Sequence, residues 1–303
     1  MLSKLLAIPC GICLYCLPFV LSAGGVSVLL TNDDGYDSPG IRALSAALAG
    51  AGYEVTIVAP LEQQSGSGMK VTLGVLDVVE QGAGVWTVDG SPADAVAIGI
   101  HRVMRDDPPD VVISGANLGQ NLGSNVMLSG TVGAAAMAAH EGIPAIAVSV
   151  GIDLAEHDVE PERFPSTLDA FPRAARLTVR VLTALARRRN EETKVMPPGA
   201  ILNLNYPVLP ATSLKGVRAA QVGEYGGFRL SYPEDGSDTG TVRATIEQDP
   251  RGLAEVDADT ALFVAGFVTI SVIEPRWNTV EGGAKVIPEW IIKLERELGR
   301  AAP

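Results

Sequence analysis

The sequence predicts an α/β protein with a Rossmann-like, mainly parallel sheet flanked by helices, and with a β-hairpin or arm extension in its C-terminal part. Segments 26–30, 110–114 and 145–149 are short and mostly apolar, as is typical of strands buried on both faces. Helical patterns separate these segments, and such alternation favours right-handed βαβ units. The 303 residues, 47% hydrophobic and 19% charged, are enough for one large globular domain.

The predicted core strands are short and rich in β-branched residues. They lie at 26–30, 53–59, 110–114 and 145–149, with a β excursion at 71–79 and 85–88. The predicted core helices lie at 39–51, 92–104 and 130–140. Pro39 in the first turn and Gly52 after the end mark the first helix. The segments at 60–68 and 115–129 are expected to be loops.

After residue 150 the pattern is less regular. We expect an acidic linker at 151–165, a long amphipathic helix at 166–189 and a strand at 201–206. An extended hairpin or exchanged arm at 223–252, a further strand within 260–272 and a closing helix at 287–298 are expected to follow. We therefore expect one domain over 24–303, with a Rossmann-like core at 24–150 and a C-terminal part at 151–303.

Residues 1–23 have the pattern of a signal peptide. Lys4 supplies a positive charge, 5–21 is apolar, and 21–23 offers small residues for cleavage. An uncleaved N-terminal anchor is the alternative. All three cysteines fall in this leader, so the mature protein would contain no thiol. We expect a secreted protein, extracellular or periplasmic, without membrane association after cleavage. The net charge of −12 argues against binding to a nucleic-acid polymer.

Three loops that follow core strands carry polar side chains. The first holds Asn32, Asp33 and Asp34, the second Ser65, and the third Asn117. Such loops emerge at one edge of a doubly wound sheet and can converge there. Their carboxylate, hydroxyl and amide oxygens suit Mg²⁺, Mn²⁺ or Ca²⁺ rather than zinc. For the first loop alone, a solvated Asx turn is the competing interpretation.

A predicted helix N-terminus follows the third loop. Ser129 can cap the helix, and the backbone N–H groups of Gly130 and Thr131 would then face an anion. An ordinary N-cap is the alternative. A cation beside an anion-binding helix end is an arrangement that phosphoester hydrolysis requires.

Several motifs occur together in a characteristic order. They are LLTNDDG at 29–35, SPGI at 38–41, VAP at 58–60, SG at 65–66, GSPAD at 90–94, SGANLG at 114–119 and SGTV at 129–132. With these motifs the chain resembles the SurE family of survival-protein phosphatases and nucleotidases. Segments 201–207 and 266–271 also resemble family segments.

The resemblance implies metal-dependent hydrolysis of phosphomonoesters, often nucleoside 5′- or 3′-monophosphates. It implies one divalent cation per subunit, Mg²⁺ or Mn²⁺ with Ca²⁺ as an alternative, and a homodimer or homotetramer formed through the exchanged arm. By motif, the catalytic group would be Asn32, Asp33 and Asp34; the metal ligands Asp33, Asp34, Ser65 and Asn117; the phosphate-binding residues Asn121, Ser129, Gly130 and Thr131; and the substrate rim Ser91 and Asp94. Asp94 could instead cap its helix.

The chain departs from the family pattern before Ser65. The family loop is usually basic, whereas residues 61–64 read Leu-Glu-Gln-Gln, which weakens the expectation of a polyanionic substrate. The sequence disfavours two other classes of function. A non-catalytic protein that binds a phosphorylated ligand is disfavoured by the intact set of oxygen donors. A dinucleotide-dependent enzyme is disfavoured because no G-x-G-x-x-G follows the first strand.

Overall fold

The structure, a computed structural model, describes residues 25–157, 164–187, 195–233 and 242–274, and the backbone of the strands Val280–Glu281 and Ala284–Lys285. The predicted leader, the closing helix at 287–298 and part of the linker at 151–165 lie outside the described residues. In the described part, no helix combines the length and apolar character needed to cross a bilayer.

Alternating strands and helices make up the described part of the chain. The strands are β1 (Ser27–Thr31), β2 (Glu54–Pro60), β3 (Val78–Gly82), β4 (Val85–Val88), β5 (Val111–Leu118), β6 (Ala145–Val150), β7 (Ile201–Tyr206), β8 (Val217–Ala219), β9 (Phe228–Ser231), β10 (Thr245–Gln248) and β11 (Val268–Ile273). The α-helices are α1 (Pro39–Gly50), α2 (Pro92–Ile98), α3 (Gly130–His140), α4 (Leu154–His157), α5 (Pro165–Ala186) and α6 (Asp259–Val264).

One nine-stranded sheet has the order β3-β4-β2-β1-β5-β6-β7-β11-β8. The strands from β4 to β7 in this order are parallel, whereas β3 and β11 run antiparallel to their inner neighbours. Helices α1 and α5 pack together, as do α2 and α3, and the buried apolar residues form two clusters. Leu29 and Leu30 point into opposite clusters and are fully buried, and each such side chain stabilises the fold by about 1.5–3 kcal/mol. The predicted α/β class is confirmed.

Two local predictions were wrong. Residues 71–77 are not a strand, because the side chains of Ser91 and Asp94 hold Lys70 and Thr72 in a loop. The third loop does not begin at Gly115, because β5 continues to Leu118. After a register shift, Asn117 and Leu118 pair with β6. A 3₁₀ helix then follows at Gly123–Met127.

The C-terminal part contains one unpredicted edge strand and one predicted hairpin. Strand β8 pairs in parallel with β11 at the edge of the main sheet. Strands β9 and β10 pair antiparallel, so the described residues of 223–252 do form the expected extended hairpin. The predicted strand within 260–272 is β11, and it is preceded by α6.

Candidate metal and phosphate site

The end of β1 lies at the centre of the sheet, between β2 and β5. Asn32 follows it and is fully buried. Its Nδ2 donates to the carbonyl oxygen of Gly35 at 2.8 Å and to Oγ of Ser38 at 2.7 Å. Gly35 has a φ of 99°, a conformation that favours glycine. The competing interpretation, a solvated Asx turn, is therefore wrong, because Asn32 and Asp33 are buried and Asn32 Oδ1 accepts no hydrogen bond in the described part of the chain. The turn closed by Gly35 instead aims the two following carboxylates.

Asp33 lies against the N-terminus of α3. Thr131 Oγ1 donates to its Oδ1 at 2.5 Å, and the backbone N–H groups of Gly130 and Thr131 are also directed at this carboxylate. Burial raises the pKa of Asp33, and these hydrogen bonds act in the opposite direction. A Cβ on Gly130 would stand 2.8 Å from Oδ2 of Asp33. Glycine is therefore needed for the close approach.

Asp34 is the second carboxylate of the pair. Its Oδ2 accepts from the backbone N–H of Leu118 at 3.0 Å, which connects β1 to the end of β5. Burial, followed by the negative charge of Asp33, raises the pKa of Asp34 to about 7. Asp33 is buried and Asp34 is partly buried, and two carboxylates this close repel each other unless a cation is bound between or beside them.

The second loop is attached directly to Asp33. The Gln64 N–H donates to the carbonyl oxygen of Asp33 at 2.7 Å, and the Gly68 N–H donates to that of Leu128 at 3.2 Å. Ser65 follows Gln64 and is exposed.

Sequence reasoning missed Ser67. Its Oγ is buried without a hydrogen-bond partner among the described residues. Both this oxygen and Asp33 Oδ2 lie within 2.8 Å of the position that a Cβ on Gly130 would take. The only signal was a second hydroxyl two residues after Ser65, and that spacing alone does not indicate a site.

The third loop brings two amides. Asn117 Nδ2 donates to the carbonyl oxygen of Gly119 at 2.7 Å, so Oδ1 is the atom that would face a cation if Asn117 is a metal ligand, which stays a prediction. Asn121 Nδ2 donates to Ser149 Oγ at 2.9 Å. The amide nitrogen carries two hydrogens, so one of them is not used by Ser149. That it binds phosphate stays a prediction.

The helix N-terminus itself is occupied by protein groups. Ser129 Oγ accepts from the N–H of Val132 at 3.1 Å, so it is an N-cap. The anion that faces Gly130 and Thr131 in the structure is the Asp33 carboxylate. That these groups hold phosphate stays a prediction.

Ser91 and Asp94 form a capping box at the start of α2 and are buried. Ser91 Oγ donates to the carbonyl oxygen of Lys70 at 2.5 Å, and Asp94 Oδ1 accepts from the Thr72 N–H at 2.8 Å. Burial opposes ionisation, but these hydrogen bonds prevail and lower the pKa of Asp94. The helix-cap interpretation of Asp94 is correct, and both residues anchor the loop after Ser65. Contact with substrate stays a prediction.

The donor set fits a hard divalent cation. Within the described ranges, no three His, Cys, Asp or Glu side chains cluster in a way that could hold a metal ion, so the Asp33–Asp34 pair would be completed by neutral oxygens. Asn32 Oδ1 and Ser67 Oγ are buried oxygens without a partner in the described part of the chain. Unsatisfied buried oxygens beside two carboxylates are expected where an ion or ordered water binds.

Comparison with known proteins points to one family. Residues 28–226 match the family described as survival protein SurE. A 5′-nucleotidase SurE from Nitratidesulfovibrio vulgaris is 40% identical over 199 residues, covering 63% of this chain and 65% of that protein. A 5′/3′-nucleotidase SurE from Yersinia enterocolitica is 34% identical over 283 residues, covering 88% and 98%.

A solved structure supports the same relationship. The crystal structure of SurE protein from Aquifex aeolicus matches with a TM-score of 0.69 at 28% identity, covering 90% of this chain and 99% of that one. The match to the family spans most of the chain, and the fold agrees with that structure. The chain therefore belongs to the SurE family.

Proposed function

We propose that the protein is a divalent-metal-dependent phosphomonoester hydrolase that acts on nucleoside 5′- or 3′-monophosphates. The single observation that carries the proposal is the Asp33–Asp34 carboxylate pair, of which Asp33 is held at the N-terminus of α3 by Thr131 and Gly130 and Asp34 by the backbone N–H of Leu118. The names of the relatives from Nitratidesulfovibrio vulgaris and Yersinia enterocolitica support the substrate class.

The metal ligands would be the two carboxylates with Ser65 and Asn117, and the cation would be Mg²⁺ or Mn²⁺. When bound, such a cation neutralises phosphate charge and lowers the pKa of a water molecule. The chain's own residues supply the rest. Asn32 fixes the turn that aims Asp33 and Asp34, and Thr131 holds the Asp33 carboxylate in one orientation.

Phosphate would lie between Asn121 and the first turn of α3. The free N–H of Asn121 and the positive end of the helix dipole both favour a negatively charged oxygen. The Asn121 N–H is preorganised because the same amide is bound to Ser149, and the helix dipole is fixed because α3 is buried against the sheet. They would therefore stabilise the charge that develops on phosphate without rearranging.

The loop before Ser65, which lies beside the site, favours small monoesters over polyanions. Leu61, Glu62 and Gln63 are exposed, and Glu62 adds a negative charge to a protein of net charge −12. A substrate with several phosphates would be repelled more strongly than one with a single phosphate. We place the protein outside the cytoplasm, on the basis of the leader pattern at 1–23, and as a homodimer or homotetramer built through the β9–β10 arm.

The test is a substrate panel with the purified mature protein. Release of phosphate from p-nitrophenyl phosphate and from nucleoside 5′- and 3′-monophosphates is measured with Mg²⁺, with Mn²⁺ and with EDTA. Turnover that needs a divalent cation supports the proposal. Phosphate binding without turnover at any pH from acid to neutral, with either cation, would select the non-catalytic binding protein instead.

A further inference from the structure

The backbone of Asn121 is held by side chains from the C-terminal part of the chain. Asn205 Oδ1 accepts from the Asn121 N–H at 2.8 Å, and Asn205 Nδ2 donates to the Asn121 carbonyl oxygen at 3.0 Å. One amide thus binds both backbone groups of a single residue. Asn203 Nδ2 donates to the same carbonyl oxygen at 2.9 Å.

The two asparagines lie where apolar residues would ordinarily stand. Both are on β7, a strand inside the sheet, and both are completely buried. Strands buried on both faces are normally continuous hydrophobic runs. Burying an amide is unfavourable unless its hydrogen bonds are made, and Asn205 makes its bonds to Asn121 alone among the described contacts.

The surrounding polar residues do not satisfy one another. Asn203 Oδ1, Thr269 Oγ1 and Ser271 Oγ are buried with no hydrogen-bond partner in the described ranges, although β7 pairs with β11 at these positions. A purely structural polar network would be expected to satisfy its own members. The bonds that are made converge instead on the loop that carries Asn121.

The position of Asn121 depends on these bonds more than that of Asn117 does. Asn117 lies within β5 and pairs in register with Ser149 of β6. Asn121 lies beyond the end of β5, before the 3₁₀ helix. Its placement therefore relies on Asn205, Asn203 and the bond from its own Nδ2 to Ser149.

We infer that Asn205, assisted by Asn203, is a positioning residue that sets Asn121 for phosphate binding and leaves the metal ligands in place. The inference rests on the proposed function, in which Asn121 contacts phosphate. Residues that orient a metal ligand change affinity or activity by about 10- to 100-fold when removed, and we expect an effect of this order for a residue that orients a phosphate-binding amide.

The experiment compares phosphate and metal affinity in the same variants. Asn205→Leu keeps the branched shape of the side chain and removes both bonds to Asn121. We expect the Kd for inorganic phosphate, measured by calorimetry with saturating Mg²⁺, to rise by about tenfold or more. We expect kcat/KM for p-nitrophenyl phosphate to fall by a similar factor, and the Kd for Mg²⁺ to change by less than about threefold, since Asn117 is held by the sheet.

Two further variants keep the test decisive. Leu204→Val is the control on the same strand, because the Leu204 side chain packs in the apolar core. It should alter neither the phosphate affinity nor the Mg²⁺ affinity. Asn203→Leu removes one of the two donors to the Asn121 carbonyl oxygen, together with an unsatisfied oxygen. If Asn205→Leu does not fold, Asn203→Leu should still weaken phosphate binding without weakening Mg²⁺ binding.

Unchanged phosphate affinity in the folded variants would overturn the inference, as would a parallel loss of Mg²⁺ and phosphate affinity. Failure of the proposed function would look different. In that case the parent protein itself shows no turnover, while the phosphate titration, which needs no turnover, still decides the role of Asn205.

Discussion

Two kinds of buried carboxylate occur in this molecule, at opposite ends of the sequence. Asp259 is completely buried and accepts from the backbone N–H groups of Gly123, Gly223 and Thr260 at 2.9–3.2 Å. Asp33 is equally well buried, but its neighbour Asp34 is a second carboxylate. Burial raises the pKa of Asp259 as it does that of Asp33.

The difference lies in what surrounds the charge. Asp259 is ringed by N–H donors from three separate segments, so it acts as an anchor that joins α6, the base of the arm and the loop after Asn121. The Asp33–Asp34 pair faces mutual repulsion, and a single backbone N–H binds the Asp34 side chain among the described contacts. A buried carboxylate whose oxygens are surrounded by N–H donors therefore indicates a structural role. Two adjacent carboxylates whose negative charge is not balanced by donors indicate a place for a cation.

The largest expected effect is on turnover, which substitution of Asp33 should reduce far more than substitution of Asp259. Asp33→Asn should lower metal-dependent turnover by more than about a hundredfold, because it removes a ligand beside the reacting phosphate. Asp259→Asn should lower the free energy of unfolding by about 1–3 kcal/mol, because an amide NH₂ replaces one acceptor among N–H donors. Its turnover per folded molecule should stay within about threefold of the parent. Phosphate-release assays and urea unfolding of both variants check this.

One result with Asp259→Asn would contradict this assignment of the two carboxylates. If Asp259→Asn eliminated turnover in fully folded protein, the division into anchor and cation site would be wrong. Asp37→Asn is the matched control, since Asp37 is exposed and pairs with Arg42 at the surface. Surface pairs of this kind contribute little, so neither activity nor stability should change.

Cation binding gives the second expected effect. Mg²⁺ or Mn²⁺ at about 100 times its Kd should stabilise the parent by about 2.7 kcal/mol. The same addition should stabilise Asp259→Asn equally and leave Asp33→Asn unaffected. Thermal unfolding with the cation and with EDTA measures all three proteins. An equal rise of Tm in Asp33→Asn would place the cation elsewhere in the molecule.

The third effect is the pH dependence of the metal-free protein. Burial, and then the charge of Asp33, raise the pKa of Asp34 to about 7, well above its unfolded value of about 3.9. The native state therefore binds the extra proton between these values, and stability present at about pH 4 is lost as the pH rises through about 7. One such proton contributes up to about 1.4 kcal/mol per pH unit.

Variants identify which carboxylate causes the slope. Asp34→Asn should flatten the fall in unfolding free energy between about pH 4 and pH 7 in EDTA. The contribution of Asp259, whose pKa burial also raises, should remain in that variant. Denaturant titrations at several pH values make the measurement. A slope that Asp34→Asn leaves unchanged would contradict the raised pKa of Asp34.

The comparison also explains what the sequence could predict. Asp33, Asp34 and the helix at 130–140 depend on local signals: a buried apolar strand, a turn closed by glycine and a serine N-cap. The roles of Asn205 and Asp259 depend on contacts with residues 84 and 136 positions away in the chain. An isolated Asp or Asn in a C-terminal segment carries no local pattern that reports such a partner.

The smallest expected effect concerns the hydroxyl that binds Asp33 beside the backbone N–H groups of Gly130 and Thr131. Thr131 Oγ1 donates to Asp33 Oδ1, so Thr131→Val keeps the side-chain shape and removes the donor. Thr131→Ser restores a hydroxyl and serves as the control. We expect Thr131→Val to raise the pKa of Asp33 further, and to weaken cation binding about threefold at pH 6 with less effect at pH 8. Calorimetric Mg²⁺ titrations at both pH values test this. A loss of equal size at both would mean that Thr131 orients Asp33 without stabilising its charge.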